Sequence, residues 1–274
     1  MKKGPPCYLR LFQVELWQTE WNGISLVEVA QEMNLPTGEV ASSHFYELFY
    51  KRLRENNFQV EKEWLNQKQE MTKLFKEKID TLAGGKNANI ISLGVGLGLI
   101  EIPLIAEGYN IHVQECQSES LAYLRREVET KEWITLDLSV IPDNSYELIL
   151  LPLVSYVFDL KVYQSFLENC SRILNPGGKL VIWDLECPLP FLSGMRSRIK
   201  RLIGIGTDIS VKWGWLKHPL VHRVLAYRAG LHLQEKRTLD SAYYPVKAFK
   251  IMGFVPPQSR AKFQELTFIN KKEV

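Results

Sequence analysis

The sequence predicts an α/β fold, a doubly wound and mostly parallel sheet carrying a helical N-terminal cap, and three observations support that prediction. From Ala88 to about Glu186 short apolar runs alternate with amphipathic segments, the pattern of parallel strands joined by crossover helices. At the first of those junctions, Gly94-Val95-Gly96-Leu97-Gly98 closes the apolar run Asn89-Ile90-Ile91-Ser92-Leu93 and opens a helical segment. Ahead of it, apolar residues recur at helical spacing up to the pair Gly84-Gly85.

Taken in order, Leu11 to Trp21 and Ile24 to Met33 read as helices, with Asn34-Leu35-Pro36-Thr37-Gly38 as a break. Phe45, Leu48, Phe49 and Leu53 continue the helical period, and Trp64, Leu65, Met71, Leu74, Phe75 and Ile79 resume it. Residues 1–85 are therefore expected to form the helical cap, and 86–274 the α/β domain with an irregular insertion at about 187–217. Within that domain strands are expected at 89–93, 109–115, 132–137, 146–153 and 179–185. Helices are expected at about 98–107, 118–129 and 161–174, with Pro103 near enough to a helix start to be tolerated. Asn175-Pro176-Gly177-Gly178 is a turn into the last of these strands. Beyond it, 219–229 suits a helix, and 240–254 with 263–270 a terminal antiparallel hairpin.

The chain is 274 residues long, long enough for a substantial core, and its composition, 46% hydrophobic and 24% charged, is that of a globular protein. A formal net charge of +3 gives no general case for a stable nucleic-acid partner. Cys7, Cys116, Cys170 and Cys187 have no paired spacing, which speaks against zinc or a disulfide framework and suggests buried thiols in a reducing compartment. No segment reaches the roughly 20 apolar residues of a membrane span, and Met1-Lys2-Lys3-Gly4-Pro5-Pro6-Cys7 lacks a signal-peptide core. A cytoplasmic location is expected.

The glycine turn lets backbone approach a ligand where a Cβ would collide, and the helix behind it offers free N–H groups. Glu115, at the tip of the next strand, suits the two hydroxyls of a ribose. A dinucleotide fingerprint would place Gly or Ala where Leu99 stands, and a P-loop would need a lysine that does not follow.

Four blocks of sequence carry a resemblance: Ile91-Ser92-Leu93-Gly94-Val95-Gly96-Leu97-Gly98; Val113-Gln114-Glu115; Leu136-Asp137-Leu138 followed by Ile141-Pro142-Asp143-Asn144-Ser145-Tyr146-Glu147; and Ile173-Leu174-Asn175-Pro176-Gly177-Gly178. In this order residues 89–186 resemble the class I S-adenosylmethionine-dependent methyltransferases. The resemblance implies a Rossmann-like sheet of seven strands, S-adenosyl-L-methionine as cofactor and S-adenosyl-L-homocysteine as product. It implies that Gly94, Gly96 and Gly98 line the methionyl and ribose portion, that Glu115 holds the ribose, and that Asp137 with the backbone of Leu138 meets the adenine. Pro152 would lie beneath the sulfonium, and Tyr46 or Tyr50 would close the methionyl end. Two positions depart from the family pattern. Ser92 stands where an acid is usual, and Leu151-Pro152 replaces a polar pair.

Methyl transfer by direct displacement needs alignment and dryness, and a base only if the acceptor must lose a proton. Tyr156, Asp184 and His44 are the acceptor-side candidates, although Tyr156 and Phe158 equally suit helix packing and Asp184 equally suits a cap. His218 and His222 have the spacing of a metal pair, but no third ligand accompanies them, and no metal is expected. A small-molecule acceptor is the preferred reading. The alternatives are an RNA or protein methyltransferase docking through Arg196, Arg198, Lys200 and Arg201, or a non-catalytic relative that binds the cofactor without transfer.

Overall fold

The protein is described by a computed structural model over residues 4–18, 20–34, 43–129, 134–135, 137–185, 211–244, 249–251 and 261–271. A 3-10 helical turn, Cys7–Phe12, leads into β1 (Gln13–Gln18), and a short hairpin of β2 (Glu20–Trp21) and β3 (Ile24–Ser25) precedes α1 (Leu26–Glu32). Ser25 caps α1, its side chain accepting the Glu28 N–H at 3.3 Å. Then come α2 (Ser43–Glu55) and the long α3 (Lys62–Leu82). The central α/β unit runs β4 (Ile90–Leu93), α4 (Glu101–Ala106), β5 (Ile111–Gln114), α5 (Ser118–Glu127), β6 (Ile134–Thr135), β7 (Tyr146–Pro152), α6 (Leu160–Ile173) and β8 (Leu174–Leu185). It is followed by β9 (Val211–Lys217), α7 (Pro219–Arg228), β10 (Leu231–Tyr244), β11 (Phe249–Ile251) and β12 (Ala261–Asn270).

The main sheet has seven strands in the order β10-β12-β8-β7-β4-β5-β6. The strands from β8 to β6 pair in parallel, and β12 runs antiparallel between β8 and β10. This is the doubly wound sheet the sequence predicts. The winding reverses at β4, which has β5 on one side and β7 on the other, so a crevice opens beyond the carboxyl ends of β4 and β7.

Alternation along the strands decides what covers each face. In β7, Leu148 and Leu150 join the core built with Phe45, Phe49, Phe75 and Ile79 of α2 and α3, whereas Ile149 and Leu151 join Leu167, Ile173, Val221 and Leu225 of α6 and α7. The front helices thus lie on one face and α6 with α7 on the other.

Five expectations need correction. Leu11 to Trp21 is not a helix but part of the 3-10 turn, β1 and β2, because Val14 and Leu16 are buried in alternation with Gln13 and Glu15. Strand β1 pairs antiparallel with β9 and β11 in a separate three-stranded sheet, so the front region mixes strands with helices and is not purely helical. The stretch 187–217, expected to be irregular, ends in strand β9, the rest of it lying outside the described residues. The terminal hairpin is β10 with β12, starting at Leu231, because Gly230 at φ +86° ends the turn after α7 and releases the chain directly into a strand. Of the cysteines, Cys170 is buried as expected, but Cys7 and Cys116 are exposed. No helix among the described residues is long and apolar enough to cross a membrane.

Candidate active site

Strand β4 delivers the chain into a turn in which Gly94, Gly96 and Gly98 all have left-handed backbone, at φ +66°, +59° and +65°. A Cβ on Gly94 would lie 2.5 Å from Val154 Cγ2, and one on Gly96 2.7 Å from Tyr50 Oη, so both positions are closed to side chains twice over. Gly98 serves a different purpose: a Cβ there would meet Leu124 Cδ2 of α5 at 2.6 Å, and Gly98 does not line the cavity.

Glu115 sits just past β5 with its carboxylate drawn under this turn. Oε2 accepts the Gly96 N–H at 2.7 Å, and Oε1 accepts the N–H groups of Cys116 and Gln117 at 2.7 and 3.2 Å. Each carboxylate oxygen can accept more than one hydrogen bond, so capacity remains for ligand hydroxyls while the backbone fixes the orientation. Asp137 is exposed at the edge of the same cavity and caps the turn Leu138–Val140, accepting the Ser139 N–H at 2.8 Å and its hydroxyl at 2.7 Å. Those hydrogen bonds, the backbone one foremost, hold its carboxyl below the usual range. Leu138 is buried beside it and faces the cavity.

At the end of β7, Pro152 and Leu153 form the floor. Leu153 is a leucine at φ +55°, a conformation that costs a non-glycine residue about 1–2 kcal/mol and is held by its N–H donating to Trp183 O at 2.8 Å. The 3-10 helical turn Ser155–Val157 follows and presents Tyr156 to the cavity. Tyr46, Phe49 and Tyr50 from α2, Trp64 from α3 and Trp21 from β2 form the roof. Trp21 stacks on Phe49 with centroids 4.7 Å apart and meets Trp64 edge-on at 5.8 Å. Burial, then the charge of Glu115, pushes the Tyr50 hydroxyl well above the ordinary tyrosine range, so it stays protonated. The enclosed volume is about 450 Å³, within the range of small-molecule sites.

Two acceptor-side candidates lie elsewhere. His44 is exposed near the start of α2 and does not line the cavity. Asp184 is fully buried on the α6 and α7 side, accepting the Ser155 hydroxyl and its neighbour's Leu185 N–H at 2.8 Å, with His222 Nε2 at 3.6 Å. His222 hydrogen-bonds Tyr163 through Nδ1 at 2.8 Å, and His218 caps α7 by accepting the Leu220 N–H at 3.2 Å, so the two histidines face different partners. Among the described residues no group of three His, Cys, Asp or Glu is placed to hold a metal ion. The basic run Arg196 to Arg201 lies outside the described residues.

Sequence reading missed Leu153 and two charged residues of the cavity wall, Glu101 and Lys68. Glu101, the first residue of α4, is completely buried, and its Oε1 accepts the Ser92 hydroxyl at 2.7 Å. The signal was a single acid in the otherwise apolar stretch Leu99-Ile100-Glu101-Ile102.

Residues 91–182, the segment holding the glycine turn, Glu115, Asp137 and Pro152, match a family model described as a methyltransferase domain. Over these residues the chain is similar to the methyltransferase domain family. Solved structures share the methyltransferase fold at low identity. An S-adenosylmethionine-dependent methyltransferase from Leishmania major is 13% identical, with a TM-score of 0.55 over 93% of this chain and 96% of that one. One from Methanosarcina mazei is also 13% identical, with a TM-score of 0.53 over 71% of this chain and 98% of that one. No curated protein matches the sequence. The match begins at residue 91 and ends at 182, so the roof residues from the front region lie before it and β9 of the second sheet lies after it.

Proposed function

We propose that the protein transfers a methyl group from S-adenosylmethionine to a small-molecule acceptor by direct displacement. The observation that carries this reading is the closeness of roof and floor: Tyr50 Oη lies 2.7 Å from where a Gly96 Cβ would stand, so the front helix sits directly on the glycine turn. The residues present fit the cofactor. Gly94 and Gly96 bring bare backbone to the cavity wall, Glu115 is oriented with acceptor capacity to spare, and a buried carboxylate oxygen of Glu101 lacks a partner.

When bound, S-adenosylmethionine supplies a methyl group on a positively charged sulfur. The chain's part is to hold and exclude. Gly94 and Gly96 admit the cofactor to the backbone, Glu115 takes the ribose hydroxyls, and Asp137 with Leu138 borders the adenine. Pro152 and Leu153 form the floor at the reacting end, Tyr46 and Tyr50 close it from above, and Tyr156 faces the acceptor. Gly98 secures the turn against α5. Walls of Trp21, Phe49 and Trp64 keep water out, which strengthens every polar contact inside. His44 and Asp184 take no direct part in this reading. The front region acts as the cap over the domain that begins at about residue 86, and the free thiols of Cys7, Cys116 and Cys170 fit the reducing cytoplasm.

Titration calorimetry with S-adenosylhomocysteine tests the reading. Micromolar binding is expected, followed by turnover of a neutral or zwitterionic metabolite from an acceptor panel with shallow salt dependence. No heat at high micromolar ligand would overturn the cofactor assignment, and steep salt dependence with turnover only of RNA or protein would overturn the choice of acceptor.

A further inference from the structure

Glu101 and Lys68 stand out as two charged residues of opposite sign on the wall of one cavity, with no ion pair between them. Glu101 is wholly buried on the cavity wall, and while one oxygen accepts the Ser92 hydroxyl, the other, Oε2, is buried without a hydrogen-bond partner. A buried carboxylate oxygen left without a partner loses its hydration and regains nothing in exchange. Lys68, from α3, lines the same cavity with its ammonium 4.3 Å from the Trp64 ring centroid and forms no ion pair with a described residue. Each feels the other's charge across the cavity, but no direct salt bridge joins them. Burial lowers the Lys68 ammonium to about 8 and raises the Glu101 carboxyl, outweighing the opposing pull of Ser92 and of each charge on the other.

The positions are informative. Ser92 stands two places before Gly94 on β4, and Glu101 brings a carboxylate to that spot from α4, hydrogen-bonded to Ser92. Glu115 occupies one side of the glycine turn through its bond to Gly96, and Ser92 with Glu101 lies at the base of the turn, before Gly94. A ligand that offers one ammonium and one carboxylate would satisfy both charges at once.

We propose that Glu101 and Lys68 recognise an α-amino-acid head group, Glu101 taking the α-ammonium and Lys68 the α-carboxylate, and that this head group is the methionyl end of the cofactor. The inference rests on the S-adenosylmethionine reading of the cavity. It adds to that reading two binding residues, one of them in α3 and outside the segment that matches the methyltransferase domain.

Two ligands that differ only at this end provide the test: S-adenosylhomocysteine, and 5′-methylthioadenosine, which lacks the amino-acid group. Calorimetry is run on wild type, Glu101→Gln and Lys68→Met. Each variant should weaken S-adenosylhomocysteine roughly tenfold to a hundredfold, the value of one charge-assisted hydrogen bond, and leave methylthioadenosine within about twofold. Glu101→Gln keeps an oxygen for Ser92 and removes a buried charge, and Lys68→Met keeps the apolar stem, so thermal unfolding should show both folded. Equal weakening of both ligands would reveal a merely structural role and overturn the proposal. Unchanged binding of both, the result if the pair serves an amino-acid acceptor instead, would overturn it as well. Wild-type protein that bound neither ligand would remove the cofactor reading itself, a failure distinct from either of these.

Discussion

Gly214 offers the sharpest test of how the second sheet governs the site. It lies in β9 beside an irregularity in the pairing with β1, where Leu16 faces Gly214 and Trp17 faces Lys212. A Cβ there would stand 2.2 Å from the Tyr156 carbonyl oxygen and 2.9 Å from its carbonyl carbon. Real Cβ contacts essentially never fall below 3.0 Å, so Gly214→Ala must push strand and turn apart by about 0.8 Å. Little can yield. The turn is backbone, Lys217 Nζ donates to Ser155 O at 2.5 Å, and Leu153 ahead of it is already in a left-handed conformation. Overpacking costs typically 1–3 kcal/mol, and the rigid surroundings put this substitution near about 3 kcal/mol. For a chain of this size that corresponds to a drop in Tm of roughly 6–12 °C. The displaced Tyr156 should also weaken S-adenosylhomocysteine binding at a temperature where the variant is fully folded. Differential scanning fluorimetry and calorimetry measure the two effects. A variant that melts within a degree of wild type would refute the claim that β9 presses on the turn after β7.

Two further outcomes follow from the same geometry. Gly96→Ala should abolish detectable S-adenosylhomocysteine binding, because its Cβ meets Tyr50 Oη at 2.7 Å, and adding Tyr50→Phe should restore part of it by removing that oxygen; a double variant no better than the single one would sink the steric explanation. His222 is fully buried, and burial followed by the charge of Lys217 lowers it from 6.5 to about 3. The unfolded chain therefore binds this proton first, so the stability His222 contributes is present above about pH 6.5 and is lost as pH falls towards 3, at up to about 1.4 kcal/mol per pH unit. Asp184, with its carboxyl raised by burial, works in the opposite sense within that window, so the comparison is between wild type and His222→Gln by denaturant titration at several pH values. The variant should show a shallower acid limb, and identical limbs would contradict the assignment.

The central unit was legible because its signals are local. Apolar runs and a glycine turn each declare themselves within a few residues, and the parallel sheet follows from their alternation, although Asn175-Pro176-Gly177-Gly178, expected to be a turn, lies within β8 where its register with β7 shifts. The front was not. Leu9, Leu11, Phe12, Val14 and Leu16 satisfy a helical and an alternating period about equally, and the choice was made by β9 and β11, which come much later in the chain. Asp184 shows what alternation alone can decide. Trp183 and Leu185 face the front helices, so Asp184 between them must point to the α6 and α7 side, and a strand-tip position did not bring it into the crevice. Glu101 escaped notice because an acid in the first turn of a helix reads as a dipole partner, and its burial is visible only once α4 is packed beside Ser92.

The pairing of β1 with β9 and β11 sets an order on biosynthesis. On the ribosome β1 emerges long before either of its partners exists, whereas β4 to β8 can assemble as soon as they have left the exit tunnel. A nascent chain halted after β8 would hold the cofactor cradle without the strand that clamps the turn bearing Tyr156. Strands β9 and β11, made after the parallel core, are thus what completes the enclosure of a crevice whose floor is laid down before them.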